Sequence, residues 1–322
     1  MDSEIATPVL PQKSGKPHKM KFSLRLKRDL KNNGLKYIMV MPIIVYIFVF
    51  AYRPMYGLLM VFQDYVPRLG ISGSTWVGFA NFTRFFHDSN AWRVVGNTLR
   101  ISVISMIFGF PAPIILALLI NEIHNKVFKR LVQTISYMPY FISMVIMCSL
   151  IRFFVQSDGL IPEFLSWFGI AKTNMIASPH LFIPIYVISD IWQNAGWSSI
   201  IYLAALSSIN SELYESARMD GASRMEQMWH ITLPGLRPTI ILLFILGMGG
   251  LLGVGFEKIL LLYSPSTYSV ADVISTYTYR LGLLNADYSY SAAIGLLNTL
   301  VNVTLLVITN TISKKVSGSG LF

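Results

Sequence analysis

The chain has 322 residues, is 53% hydrophobic and 13% charged, and has a mean hydropathy of +0.54. Soluble domains carry about 25% charged residues, so the composition excludes an ordinary soluble domain and points to a polytopic, all-α membrane protein. The formal net charge of +10 clusters beside apolar runs, which argues for topology signals and against nucleic-acid binding.

Residues 1–36 form a basic tail with Pro8, Pro11, Gly15 and Pro17 near its start, where disorder is expected. From Met20 to Leu30, Phe22, Leu24, Leu26 and Leu30 interleave with Lys21, Arg25, Lys27 and Arg28. Two readings are open: a helix lying on an anionic lipid surface, or a tail that only obeys the positive-inside rule. The membrane domain follows over 37–312. Its apolar runs predict six spans at 37–60, 97–120, 133–155, 181–204, 237–263 and 290–312, each near the ~20 residues needed to cross. A short tail, 313–322, ends the chain. With the N-terminus in the cytoplasm, the tails and inner loops hold seventeen Lys and Arg. The outer loops hold five: Arg68, Arg84, Arg93, Lys172 and Arg280. That asymmetry places both termini inside.

Trp76, Phe79, Phe82, Phe85, Phe86 and Trp92 suit a helix at the outer interface before the second span. Pro111 and Pro113 predict a kink within that span. Tyr140 follows the Tyr137-Met138-Pro139 sequence near the start of the third. In the fourth, Asp190, Asn194 and Trp197 fall at i, i+4 and i+7 on one helical face, with Gln193 beside them. A flat ring next to amide and carboxylate groups suits a sugar, while interhelical hydrogen bonding explains the same residues equally well. The fifth span carries Gly247, Gly249, Gly250, Gly253 and Gly255, with Gly249-x-x-x-Gly253 permitting close helix approach, and then Glu257-Lys258. Either charge is placed to line a path, and Lys258 also has the reach to snorkel. Ser291, Gly295, Asn298 and Asn302 make a small, polar stripe on the sixth span. The candidate path residues are therefore Tyr140, Asp190, Gln193, Asn194, Trp197, Glu257 and Asn298.

The single Cys148 excludes an intrachain disulfide, and the five histidines lack metal-ligand spacing. No G-x-x-x-x-G-K-[ST] segment is present. The sequence thus supports no catalytic residue, no metal and no cofactor in this chain.

The stretch Glu215–Pro234 is a polar island between two apolar runs, within a loop over 205–236. Ser211 is positioned to cap a helix running to Asp220. Gly221 supplies a turn, and Ser223 and Glu226 have the spacing of a capping box that starts a second helix. Pro234 is expected to end that helix. Small Ala217 and Ala222 leave room for another surface.

These residues resemble the EAA loop of permeases in binding-protein-dependent ABC importers: E-A-A, three residues, G, nine residues, I-x-L-P. Here Glu215-Ser216-Ala217 precedes Gly221, and Ile231-Thr232-Leu233-Pro234 completes the pattern, with Ser216 replacing an alanine. Ile209–Leu233 is similar to the carbohydrate-uptake subclass, and Gly255–Leu283 to LplB-like permeases, which import oligosaccharides and polysaccharide fragments, some containing uronic acids. The resemblance implies a type I ABC importer permease fold with cytoplasmic coupling helices in a bacterial cytoplasmic membrane. It implies a second, similar permease and two copies of a cytoplasmic ATPase that bind ATP and Mg. It also implies an extracytoplasmic solute-binding protein. Glu215, Ser216, Ala217, Asp220, Gly221, Ile231, Leu233 and Pro234 would then dock on the ATPase, and the chain itself would not be an enzyme. The alternative, an ion-coupled secondary transporter of small polar solutes, needs carboxylates deep in the membrane and leaves the loop unexplained.

Overall fold

The computed structural model describes residues 22–317, with side chains from 32 to 315. The stretch expected to be disordered lies outside the described residues. Two compact units are distinguished, Met1–Leu58 and Leu59–Phe322. The first is built on α1 (Phe22–Ile47), which leaves helical geometry at Asn33 and continues into a π turn at Phe48–Tyr52. The Met20–Leu30 stretch is thus helical from Phe22.

The second unit opens with a two-residue antiparallel ribbon, β1 (Gln63–Asp64) against β2 (Thr75–Trp76), a small exception to an all-α fold. Helix α2 (Ala80–His87) carries three of the outer-loop aromatics, Phe82, Phe85 and Phe86, while Trp76 lies in β2, Phe79 precedes the helix and Trp92 follows it; Phe79 and Phe82 pack against Phe62. Asp88 then caps α3 (Ser89–Gly109) by accepting from Asn90 N at 2.9 Å. The chain passes through Phe110, itself in helical geometry, into α4 (Pro111–Asn121), with Pro111 at the first position. Asn125 caps α5 (Lys126–Tyr137).

The predicted third span is not one helix. Pro139 sits in a 3-10 turn, Met138–Phe141, and Ile142 is extended. Proline supplies no N–H and disfavours helix before it. Ser143 caps a fresh start as α6 (Met144–Val155). The fourth span is continuous as α7 (Pro179–Ser207), 29 residues long.

The loop holds α8 (Ser211–Met219) and α9 (Arg224–Gln227), and α10 (Leu233–Gly249) rises from it. The predicted fifth span is also broken. Helix α10 ends at Gly249, residues 250–255 are irregular, and α11 (Phe256–Leu262) follows. Glycine lowers helix propensity, and the freed backbone finds side-chain partners. Ser102 Oγ donates to Leu251 O at 2.6 Å, and Leu252 N donates to Asn302 Oδ1 at 3.1 Å. Non-helical backbone at membrane depth needs such satisfaction. Gly249 and Gly253 therefore do not share a helix face, although Gly249 still lies tight against Leu306.

Helix α12 (Ile274–Tyr279) leads to α13 (Tyr288–Ser317), which carries the sixth span. Around α12 a polar knot forms at the end of the bundle opposite the α8–α9 loop. Arg280 makes a two-pronged contact with the fully buried Asp272, at 2.9 and 2.5 Å, and this carboxylate raises the guanidinium above its ordinary value. Tyr277 and Tyr290 both donate to Asp88 Oδ2, at 2.7 and 2.8 Å. Burial pushes Asp88 up, but these hydroxyls outweigh it and hold the carboxyl below its usual 3.8.

Five helical stretches among the described residues are long and apolar enough to cross a membrane: 32–62, 89–121, 144–166, 224–249 and 288–315. Helix α7 has the length for a sixth crossing but carries Asp190, Gln193 and Asn194. The main core gathers residues of α3, α6, α7 and α11, among them Ile101, Met147, Phe182 and Ile259.

Candidate functional site

The loop between α7 and α10 owes its shape to local bonds. Asn210, not Ser211, caps α8: its side chain accepts from Glu212 N at 3.0 Å, and Ser211 is the first helical residue. The C-terminus closes with two bonds, Ala222 N to Ala217 O at 2.9 Å and Gly221 N to Arg218 O at 3.1 Å. The first requires the left-handed conformation at Gly221, whose φ is +81°. The capping box is present: Glu226 N donates to Ser223 Oγ at 3.3 Å, and Ser223 N donates to Glu226 Oε2 at 2.6 Å. These bonds to Ser223 hold the Glu226 carboxyl below its ordinary value.

Pro234 does not end the second helix. A π turn over Met228–Thr232 widens the backbone ahead of it, and the chain stays helical from Arg224 through to Gly249. The missing proline N–H is absorbed in that turn. Tyr214 Oη lies 3.0 Å from Thr232 Oγ1 and ties α8 to the π turn.

Glu215, Ser216, Asp220, Gly221 and Pro234 are exposed, while Ala217, Ile231 and Leu233 are half-buried. Three apolar side chains missed by sequence reasoning stand out from the loop: Met219 at 89% exposure, Met225 at 60% and Trp229 at 62%. The signal was available, since apolar residues in a charged segment mark a covered face.

Deeper in the bundle, the fourth-span stripe divides in two. Asn194 Nδ2 donates to Asp190 Oδ1 at 3.1 Å, and Lys258 Nζ lies 3.4 Å from the same oxygen. Lys258 also donates to Tyr186 O at 3.3 Å and sits 5.0 Å from the Tyr186 ring centre. It is 1% exposed, so it does not snorkel; α7 supplies its partners across the glycine break. Asp190 borders a cavity of about 290 Å³ between α3, α7 and the break, together with Ser102, Ser105, Phe110, Gly250 and Gly253.

About two turns beyond Asp190 along α7, Trp197 stacks on Tyr140 with ring centres 4.7 Å apart and planes 5° apart. The close approach rests on Gly196, where an added Cβ would lie 1.9 Å from Ser136 O. Trp197 borders a second, largely apolar depression of about 500 Å³, which shares Phe110 with the first. The structure therefore joins Asp190 to Asn194 and Trp197 to Tyr140. Gln193 points into the protein at 4% exposure, and its Oε1 has no hydrogen-bond partner. Glu257 is exposed, and Asn298 lies on α13 with a buried, unpartnered Oδ1. Lys258, rather than Glu257, is the charge that meets the stripe.

Among the described residues no cluster of His, Cys, Asp and Glu is suited to a metal. A membrane bundle with a self-capped, exposed helix pair at one end and polar groups along a broken helix inside has the build of a transport permease. The family described as "Binding-protein-dependent transport system inner membrane component" matches residues 109–318, and the chain belongs to it. Among its relatives, the polygalacturonan/rhamnogalacturonan transport system permease protein YteP of Bacillus subtilis (strain 168) is 42% identical, over 92% of this chain and 93% of the relative. Protein LplB of the same organism is 41% identical, over 91% and 92%. The crystal structure of a bacterial ABC transporter involved in import of the acidic polysaccharide alginate contains a chain 44% identical to this one. The match covers 91% of this chain and 99% of that one, with a TM-score of 0.85. The fold is thus that of an ABC importer permease.

Proposed function

We propose that the chain is the permease subunit of an ATP-driven importer of oligosaccharides bearing uronic acids. The observation that carries this reading is likeness along nearly the whole chain to a polygalacturonan/rhamnogalacturonan transport permease and to a chain of an alginate importer. A solved relative, 43% identical over 92% of this chain, is an alginate transporter in complex with an alginate pentasaccharide-bound periplasmic protein. It supports a solute-binding protein as the partner that delivers substrate. A second, similar permease completes the path, and two cytoplasmic ATPases bind ATP and Mg; both termini and the α8–α9 loop face the cytoplasm.

In this reading Glu215 and the exposed Met219, Met225 and Trp229 dock on an ATPase. Because the chain stays helical from Arg224 to Gly249, through the π turn and past Pro234 and Pro238, a push on the loop is carried toward the glycine break. The wall formed by Asp190, Asn194, Trp197 and Tyr140 offers acceptors and flat rings to sugar hydroxyls and C–H faces. The ion-coupled alternative has less support: Asp190 is engaged by Lys258, and Glu257 is exposed.

The test is co-purification followed by uptake. A tagged chain expressed with its partner genes should bring down an ATPase and a second permease, and Glu215→Lys should uncouple ATP hydrolysis from uptake while the chain stays in the membrane. Uptake of galacturonate oligosaccharides that persists without any ATPase, driven by a proton gradient, would replace this reading with the secondary transporter.

A further inference from the structure

An importer of acidic sugars faces an electrostatic problem at Asp190. The carboxylate lies well inside α7 and is 37% exposed beside the cavity at the glycine break. A bare negative charge there would repel each uronate that passes. At an effective dielectric constant near 20, two unit charges 8 Å apart interact strongly enough to change an equilibrium by more than tenfold.

The structure shows what cancels it. Lys258 Nζ approaches Asp190 Oδ1 from the protein side, at 1% exposure, and is itself held by Tyr186 O and the Tyr186 ring. A fully exposed lysine would bind the anion and slow its release, whereas this one is walled off from it. Asn194 converges on the same Oδ1, which leaves Asp190 Oδ2 for a ligand. The wall thus presents an acceptor whose charge is cancelled from behind.

We infer that Lys258 is a positioning residue for specificity: it neutralises Asp190 from within, so that the cavity at the glycine break accepts hydroxyls of an acidic oligosaccharide without repelling its carboxylates. This rests on the transport reading above and adds to it the group that admits an anion. Lys258 need never touch the sugar.

The test uses the whole complex in proteoliposomes, with both permeases, the ATPase and the binding protein. Two probes of equal length are compared, pentagalacturonate and its methyl ester, each scored against the unmodified complex. Lys258→Met keeps the length and removes the charge. Uptake of pentagalacturonate is expected to fall at least tenfold, and that of the neutral ester by no more than about twofold. Adding Asp190→Asn to Lys258→Met should restore pentagalacturonate uptake, and Lys258→Arg should keep the wild-type ratio of the two probes. Binding-protein-stimulated ATP hydrolysis in each variant reports on assembly. Equal loss on both probes, failure of Asp190→Asn to rescue, or loss of assembly would make Lys258 a structural clamp and overturn the inference. An unmodified complex that imports the ester but not the acid would instead overturn the acidic-substrate reading itself.

Discussion

The α8–α9 loop and the glycine break between α10 and α11 are both irregular and both polar, yet they are held in opposite ways. In the loop, the cap at Asn210, the turn at Gly221 and the box at Ser223–Glu226 join residues no more than five apart. At the break, Ser102–Leu251, Asn302–Leu252 and Lys258–Asp190 join residues 149, 50 and 68 apart. A segment fixed by its own neighbours keeps its shape while a whole face stays open to another subunit. A segment fixed by distant helices changes when those helices move. The first arrangement suits a rigid handle, and the second suits a place where the path rearranges.

The comparison is sharpened first at the polar knot, whose ion pair joins residues only eight apart, as in the loop, but is buried, as at the break. Arg280→Met leaves the fully buried Asp272 without its counter-charge. Such uncompensated charges cost about 3–5 kcal/mol, so the melting temperature of the detergent-solubilised complex should drop by several degrees or more; an unchanged value would show that the knot is not structural. In the loop, Gly221→Val puts a β-branched residue at φ +81°, a conformation that costs L-residues about 1–2 kcal/mol or more. ATP-driven uptake should fall at least tenfold, with the chain still in the membrane. Gly221→Asn, which tolerates that φ better, should lie between; equal behaviour of the two would mean that the turn is not what matters.

A smaller effect is expected from Ser223→Ala, which removes a cap worth about 1 kcal/mol. Amide exchange should speed up within α9 and leave the break untouched; spread to Leu252 would mean that the two regions are not independent. The smallest concerns acid. Glu226 is held below its ordinary 4.5 in the folded loop, so its contribution is complete above that value and is lost as pH falls through the lower, folded one. In a His230→Gln background, which removes the imidazole next to Trp229, Trp229 fluorescence should stay flat from neutrality to about pH 5 and change only below. In Glu226→Gln that acid-dependent change should be absent.

What could be read from the sequence follows the same division. The Gly221 turn and the capping box are short-range chemistry and were legible residue by residue, although the cap itself sits one position earlier, on Asn210. Pro234 misled because a π turn, which leaves no compositional mark, carries the helix past it. The third and fifth spans were drawn as single helices because apolar runs report burial in lipid, not continuity. Pro139 and the glycines from 247 to 255 were the available warnings. The pairing of Lys258 with Asp190 spans 68 residues, and no local pattern announces it. One argument would have reached it: a lysine in an apolar run needs a counter-charge, and Asp190 lies within another of the predicted spans.

The knot at Asp88 has a consequence for how the molecule is made. Its two hydroxyl donors, Tyr277 and Tyr290, lie 189 and 202 residues downstream of the aspartate they serve. Synthesis runs from the N-terminus, so Asp88 leaves the ribosome early and waits through the insertion of every helix between. Only when α13 enters the bilayer can Tyr290 reach it. A chain cut short before α13 carries an unfinished fastening, and a quality-control protease that senses this end of the protein would in effect be checking whether α13 had been inserted.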